Sequence, residues 1–195
     1  WVNNGTINLS VGSLEVAATL TNAPGGVINI LSASSRDEVA NFGGSFFNQG
    51  QFNYNASDAG TVNVLFNNTG TVNVNGPLTA SAGVQQQSGT LNIASGQTLT
   101  VSGSGLVLEG GRLTTGSTGT VVGNVNNIAG TVAPGASPGI LTINGDYVQG
   151  PSGVLELEIG GIEPGTFDQL IVTGNSSLGG TLNTTLLNSF APVAG

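Results

Sequence analysis

Glu156 and Glu158 are the first residues to weigh, because alternation along Val154-Leu155-Glu156-Leu157-Glu158-Ile159 sets both carboxylates on one face of a strand. Two carboxylates roughly 5–10 Å apart across a cleft are what glycoside hydrolysis requires. Asp146 and Asp168 lie nearby in sequence and complete the set. The competing reading is the solvated face of an exposed strand. It is the better one, since carboxylates at i and i+2 arise wherever a strand has one wet face. A polysaccharide lyase needs a basic residue to take a proton from a sugar carbon. The chain has only Arg36 and Arg112 to offer, far apart in sequence, and it has no lysine. With no histidine and no cysteine, nucleophile–histidine pairs are excluded. The Gly-Gly-x-Gly-x-Asp repeat that binds calcium in some β-rolls does not occur. The expectation is therefore no catalytic residue, no cofactor and no metal.

Aromatic side chains offer a different chemistry, stacking on sugar faces. Five of the nine Phe and Tyr residues fall within residues 31–55: Phe42, Phe46, Phe47, Phe52 and Tyr54. Residues 31–45 also carry Arg36-Asp37-Glu38, the one dense charge cluster, and read as an excursion with a helical turn over 37–41. Phe42, Phe46, Phe47 and Tyr54 are the candidate ligand-binding residues, with cell-surface glycans as the partner. The alternative is that Phe46, Phe52 and Tyr54 stack in a core.

Composition narrows the field further. The net charge is −8 over 195 residues, so the chain cannot neutralise nucleic-acid phosphates, and an anionic membrane surface repels it. No apolar run approaches the roughly 18 residues that a membrane-spanning helix needs. Absence of cysteine fits a secreted chain and a cytosolic one equally, whereas absence of lysine with an abundance of Asn, Thr, Ser and Gly fits an extracellular or cell-surface protein. The sequence opens at Trp1 without a signal peptide and reads as a mature or excised piece of a larger secreted precursor.

The elements that position all these residues are announced by a repeat. Gly60-Thr61-Val62-Asn63-Val64 recurs word for word at Gly70-Thr71-Val72-Asn73-Val74. Looser copies are Gly5-Thr6-Ile7-Asn8-Leu9, Gly26-Val27-Ile28-Asn29-Ile30, Gly50-Gln51-Phe52-Asn53-Tyr54 and Gly89-Thr90-Leu91-Asn92-Ile93. Apolar–polar–apolar alternation after a glycine marks a short strand with one buried face. Near-identical wording at successive turns is what stacked coils require, because like positions then lie above one another. The fold class is all-β, a parallel β-solenoid or β-helix. At about 20 residues per coil it makes roughly nine or ten coils, a rod of about 45 Å at ~4.8 Å per coil. Like charges would repel in such a column, whereas amides bond up and down it. Asn8, Asn29, Asn53, Asn63, Asn73 and Asn92 are the expected ladder. Residues 1–128 form thin repeat coils, and residues 129–195 form a C-terminal section of the same solenoid with longer strands.

That C-terminal section carries a family likeness. Ala133-Pro134-Gly135 and Ser137-Pro138-Gly139, leading into Leu141-Thr142-Ile143-Asn144-Gly145-Asp146-Tyr147, resemble the last coils of bacterial autotransporter passengers and related large secreted β-helix adhesins. The match covers residues 129–187, and the upstream coils are similar but less specific. The resemblance implies a right-handed parallel β-helix on an outer surface, engaged in adhesion, aggregation or structural work. The sequence thus points to a non-enzymatic extracellular structural or adhesive rod, with stacking of chains head to tail into a filament as its most specific form. Trp1, Val2, Phe190 and Val193 are the candidate assembly ends, with self-association or neighbouring β-helix coils as partners. A glycan-binding passenger fragment and a polysaccharide-degrading β-helix enzyme are the alternatives.

Overall fold

A computed structural model describes residues 1–10, 14–16, 18–32, 38–42 and 44–192. Each glycine-led phrase becomes a short strand, and every strand-to-strand pairing among the described residues is parallel. One coil consists of Phe66–Asn68, Thr71–Val74 and Leu78–Ala80, whose three strands belong to three different sheets. We call these sheets A, B and C in chain order. Each strand bonds to its counterpart one coil away, and the sheets hold nine, nine and eight strands. The described residues thus make eight three-stranded coils and a ninth with two strands, Ser176–Leu178 and Thr181–Leu186. That is fewer than the nine or ten expected, because turns and three strands use more chain per coil than a bare 20-residue repeat. At ~4.8 Å per coil the rod is about 40 Å long.

The core is a set of vertical columns. In sheet B, Ile28, Phe52, Val72, Leu91, Leu113 and Val132 follow one another in register, each at most 1% exposed. Sheet A contributes Phe46, Phe66, Val84, Leu106, Val125 and Tyr147 in the same way. Phe46 stacks on Phe66 at 4.7 Å between ring centroids. Phe52 meets both edge-on, at 5.5 and 5.3 Å. Such pairs contribute about 0.5–1.5 kcal/mol beyond their buried area.

The expected excursion is partly coil. Glu38–Phe42 is a strand of sheet C, paired with Leu14–Val16 on one side and Gly60–Val62 on the other. A helical turn over 38–41 is therefore corrected to a strand, with Asp37 outside the described residues. The neighbouring strands leave an open edge there, and pairing satisfies more backbone groups than one helical turn would.

The glycines before the strands are set by contact as well as by turning. A Cβ on Gly70 would lie 2.1 Å from the carbonyl oxygen of Gly50, one coil below. Gly89 repeats the arrangement against Gly70 at 2.0 Å and also has φ of +69°. Coils stacked this closely admit no side chain at that corner.

Candidate functional site

Three features emerge from this frame: two amide ladders, a polar pocket beside the proline-rich segment, and an open final coil.

The outer ladder runs up sheet B. Asn29 donates to Asn8 at 2.8 Å, Asn53 to Asn29 at 2.7 Å, Asn73 to Asn53 at 2.8 Å and Asn92 to Asn73 at 3.5 Å. Register places Thr114 next, so the column ends there. Asn63 lies beyond the strand Gly60–Val62 of sheet C and is no part of this ladder. Its phrase matches that of Asn73 in wording but falls on another side of the coil.

A second ladder lies inside, at the corner between sheets A and B, and the alternating phrase does not announce it. Asn3 donates to Asn22 at 2.8 Å, Asn22 to Asn48 at 2.7 Å, Asn48 to Asn68 at 2.7 Å and Asn68 to Gln86 at 2.9 Å. Asn22, Asn48, Asn68 and Gln86 are wholly buried. Each of the asparagines also holds the turn that follows; Asn48, for example, donates to the Gly50 carbonyl at 3.3 Å. The signal was available as Asn-x-Gly, written at Asn3-Asn4-Gly5, Asn48-Gln49-Gly50 and Asn68-Thr69-Gly70.

A pocket of about 220 Å³ opens beside residues 133–137, lined by Arg112, Ser137, Glu156, Glu158 and Asp168 among others. Arg112 forms an ion pair with Glu156, both side chains well exposed, so the pair adds at most about 1 kcal/mol. Ser137 donates to Glu158. Asp168 is 6% exposed and accepts the Gly139 N–H at 2.7 Å and the Glu158 N–H at 2.9 Å. Burial pushes its carboxyl above the ordinary aspartate value, against the pull of those two hydrogen bonds. Gly135, at φ +109°, has no room for a Cβ, which would meet Asp168 Oδ1 at 2.8 Å. Asp168 thus staples the Pro-Gly-x-Ser-Pro-Gly segment to the strand above it. Asp146 lies outside this pocket and accepts the Asn175 N–H at 2.7 Å, holding the turn before the last coil. Of the four acidic residues singled out from sequence, three are brought together and each has a partner. Among the described residues no group of three or more His, Cys, Asp or Glu is placed to hold a metal ion.

The aromatic candidates separate. Phe46 and Tyr54 are at most 1% exposed and belong to the core, so they are corrected from ligand-binding residues to packing residues. The Tyr54 hydroxyl donates to the Asp58 carbonyl. Phe47 points outward from sheet A and is 39% exposed. Phe42 lies in the strand Glu38–Phe42, and its side chain is outside what the structure describes.

The ends are uneven. Trp1 and Val2 are 77% and 64% exposed, and the Trp1 ammonium donates to the Thr19 carbonyl at 2.8 Å. Phe190 is half-buried and its N–H bonds to the Leu187 carbonyl at 2.8 Å, while Val193 lies outside the described residues. The main exposed surface of the last coil is instead the strand Thr181–Leu186, with Leu178, Leu182 and Leu186 open to solvent. Leu182 continues the column of Val132 and Leu155 and is 59% exposed.

These features define a parallel β-solenoid, consistent with the β-helix superfamily at the level of fold. Searches of family models, curated proteins and solved structures give no match to this chain.

Proposed function

We propose that this chain is a non-enzymatic extracellular β-solenoid with a structural or adhesive role, acting through shape and repetition and associating with other solenoid coils at its ends. The observation that carries the reading is the repetition itself, an unbroken core column from Ile28 to Val132 flanked by two amide ladders. A side chain in a core column gains its hydrophobic stabilisation only when another coil covers it. The acidic pocket fits the same reading, because Asp168, Glu156 and Glu158 are engaged in holding one coil to the next.

In its finer form the reading is a right-handed β-helix of the autotransporter-passenger kind, supported by residues 133–147 and by the parallel strands that follow them. Glycan adhesion is a second reading, favoured by the exposure of Phe47 on the outer face of sheet A.

Sedimentation velocity across a concentration series, with and without acidic polysaccharides, tests the proposal. Assembly that needs no polysaccharide, with the polysaccharide left at full length, is the expected result. A monomer that shortens the polysaccharide, and stops doing so as Glu156→Gln or Glu158→Gln, would overturn it in favour of an enzyme.

A further inference from the structure

We propose that the outer face of sheet C binds the surface of ice, through six threonines that stand in two in-register columns. Such binding needs no second chain and is independent of any association between chains.

Thr61, Thr79 and Thr100 pair in register on consecutive coils. Thr98, Thr120 and Thr142 do the same one step back along the strands. Each is half-buried and alternates with fully buried core residues such as Val62, Leu99, Val121 and Ile143, so all six face outward. Among the described residues none of the six hydroxyls bonds to a protein group. Hydroxyls at the corners behave differently: those of Thr69, Ser88 and Ser104 each donate to a carbonyl of the neighbouring coil. The columns of sheet C thus keep their hydrogen-bonding capacity for something outside the chain.

The face is also neutral and regular. In a chain of net charge −8, the five strands from Gly60–Val62 to Ile140–Asn144 carry no Asp, Glu or Arg. Their pairings run without a register shift; the irregularity in this sheet lies one strand earlier, between Glu38 and Ala40. Sheet B lacks both properties on its outer face. There Asn29, Asn53 and Asn73 spend their amides on one another, and Arg112 and Glu156 add charge.

Spacing selects the occupant. Threonines of one column lie ~4.8 Å apart, and Thr98 and Thr100, two residues apart on one strand, lie ~6.6 Å apart. Tetrahedral water bonded at ~2.75 Å repeats at ~4.5 Å within a layer of the solid and at ~7.3 Å along the stacking direction. The face therefore matches both repeats to about a tenth. A hydroxyl both donates and accepts, so it fits either orientation of a lattice water, and the adjacent methyl group fills the space between. Liquid water offers each hydroxyl the same single bond. Only a solid offers the whole array at once, and a rigid solenoid meets it without an ordering cost.

Ice grown slowly in a stirred solution of the chain, with protein then measured in the ice and in the remaining liquid, tests the proposal. Thr98→Tyr and Thr120→Tyr place a bulky ring on the face, and Thr71→Tyr places one on the outer face of sheet B. Circular dichroism checks that each variant is folded. Enrichment of the unmodified chain in ice, lost in both sheet C variants and kept in Thr71→Tyr, is the expected result. Exclusion of the unmodified chain from ice would overturn the proposal, whatever the variants do. Enrichment that survives both sheet C substitutions, or that Thr71→Tyr abolishes equally, would overturn the assignment to this face.

Discussion

The side-chain amide of Asn48 donates to that of Asn68 at 2.7 Å, one coil away, in a space sealed from solvent. This contact is one rung of a column that carries polar groups through an otherwise apolar interior. Burying an amide is costly unless it is bonded, and here the repeat supplies the bond at each coil. The column ties coil spacing to turn geometry, since the same side chains also hold backbone groups in the adjoining turn.

Asn68→Ala should therefore be far more damaging than Asn73→Ala. The first removes a wholly buried rung and leaves the Gln86 side-chain oxygen without the donor that Asn68 supplies, a loss of about 1–3 kcal/mol. The second removes a partly exposed rung whose partners can turn to water, a loss of about 0.5–1.5 kcal/mol. Urea midpoints of the two variants check the order. Equal midpoints would mean that the inner ladder is not a special source of stability.

The glycine corner gives a steric test. Gly89→Ala forces a Cβ toward the Gly70 carbonyl and strains a backbone at φ +69°, so little folded protein is expected. Gly5→Ala, in the first coil, has nothing within 4 Å of its Cβ and should leave stability within about 0.5 kcal/mol. Circular dichroism melting of both variants makes the comparison.

Two adjacent phenylalanines face opposite ways. Phe46→Ala opens a cavity against Phe52 and Phe66 and should cost about 3–5 kcal/mol. Phe47→Ala should leave stability within about 0.5 kcal/mol and lower any glycan binding. A glycan array with unchanged binding after Phe47→Ala would remove the adhesive reading at this face.

Alkaline pH should weaken the core through Tyr54. Burial, and then the nearby Asp58 charge, push its hydroxyl up to about 12 from an ordinary value of 10.0. Below pH 10 neither state ionises and stability is unaffected. Between about 10 and 12 the unfolded chain loses its proton first, so stability falls, by roughly 2–3 kcal/mol in all. Burial raises Tyr147 in the same direction. Tyr54→Phe should flatten part of the slope, read from denaturant midpoints at pH 9 and pH 11.5.

Much of the solenoid was legible because stacking repeats a residue's environment along with its neighbours. Five of the six asparagines expected in the outer ladder are in it, and the alternation that identified Val72 and Leu91 as core residues is the alternation of the sheets. Asn63 misled because identical words can fall on different sides of a three-stranded coil. The inner ladder was missed because its residues sit at a corner, where the signal is a polar residue before a glycine and not a period of two. Glu38–Phe42 was missed because charge and glycine around a short strand look like a loop. The carboxylate cluster was half legible. Alternation paired Glu156 with Glu158, but only the fold brings Asp168 and Arg112 to them.

Negative-stain electron microscopy of the purified chain, over a range of concentrations in physiological salt, tests the central claim most directly. The account predicts unbranched filaments that lengthen with concentration and have an axial repeat of about 40 Å, the length of one rod at ~4.8 Å per coil. Discrete short rods at every concentration would contradict it.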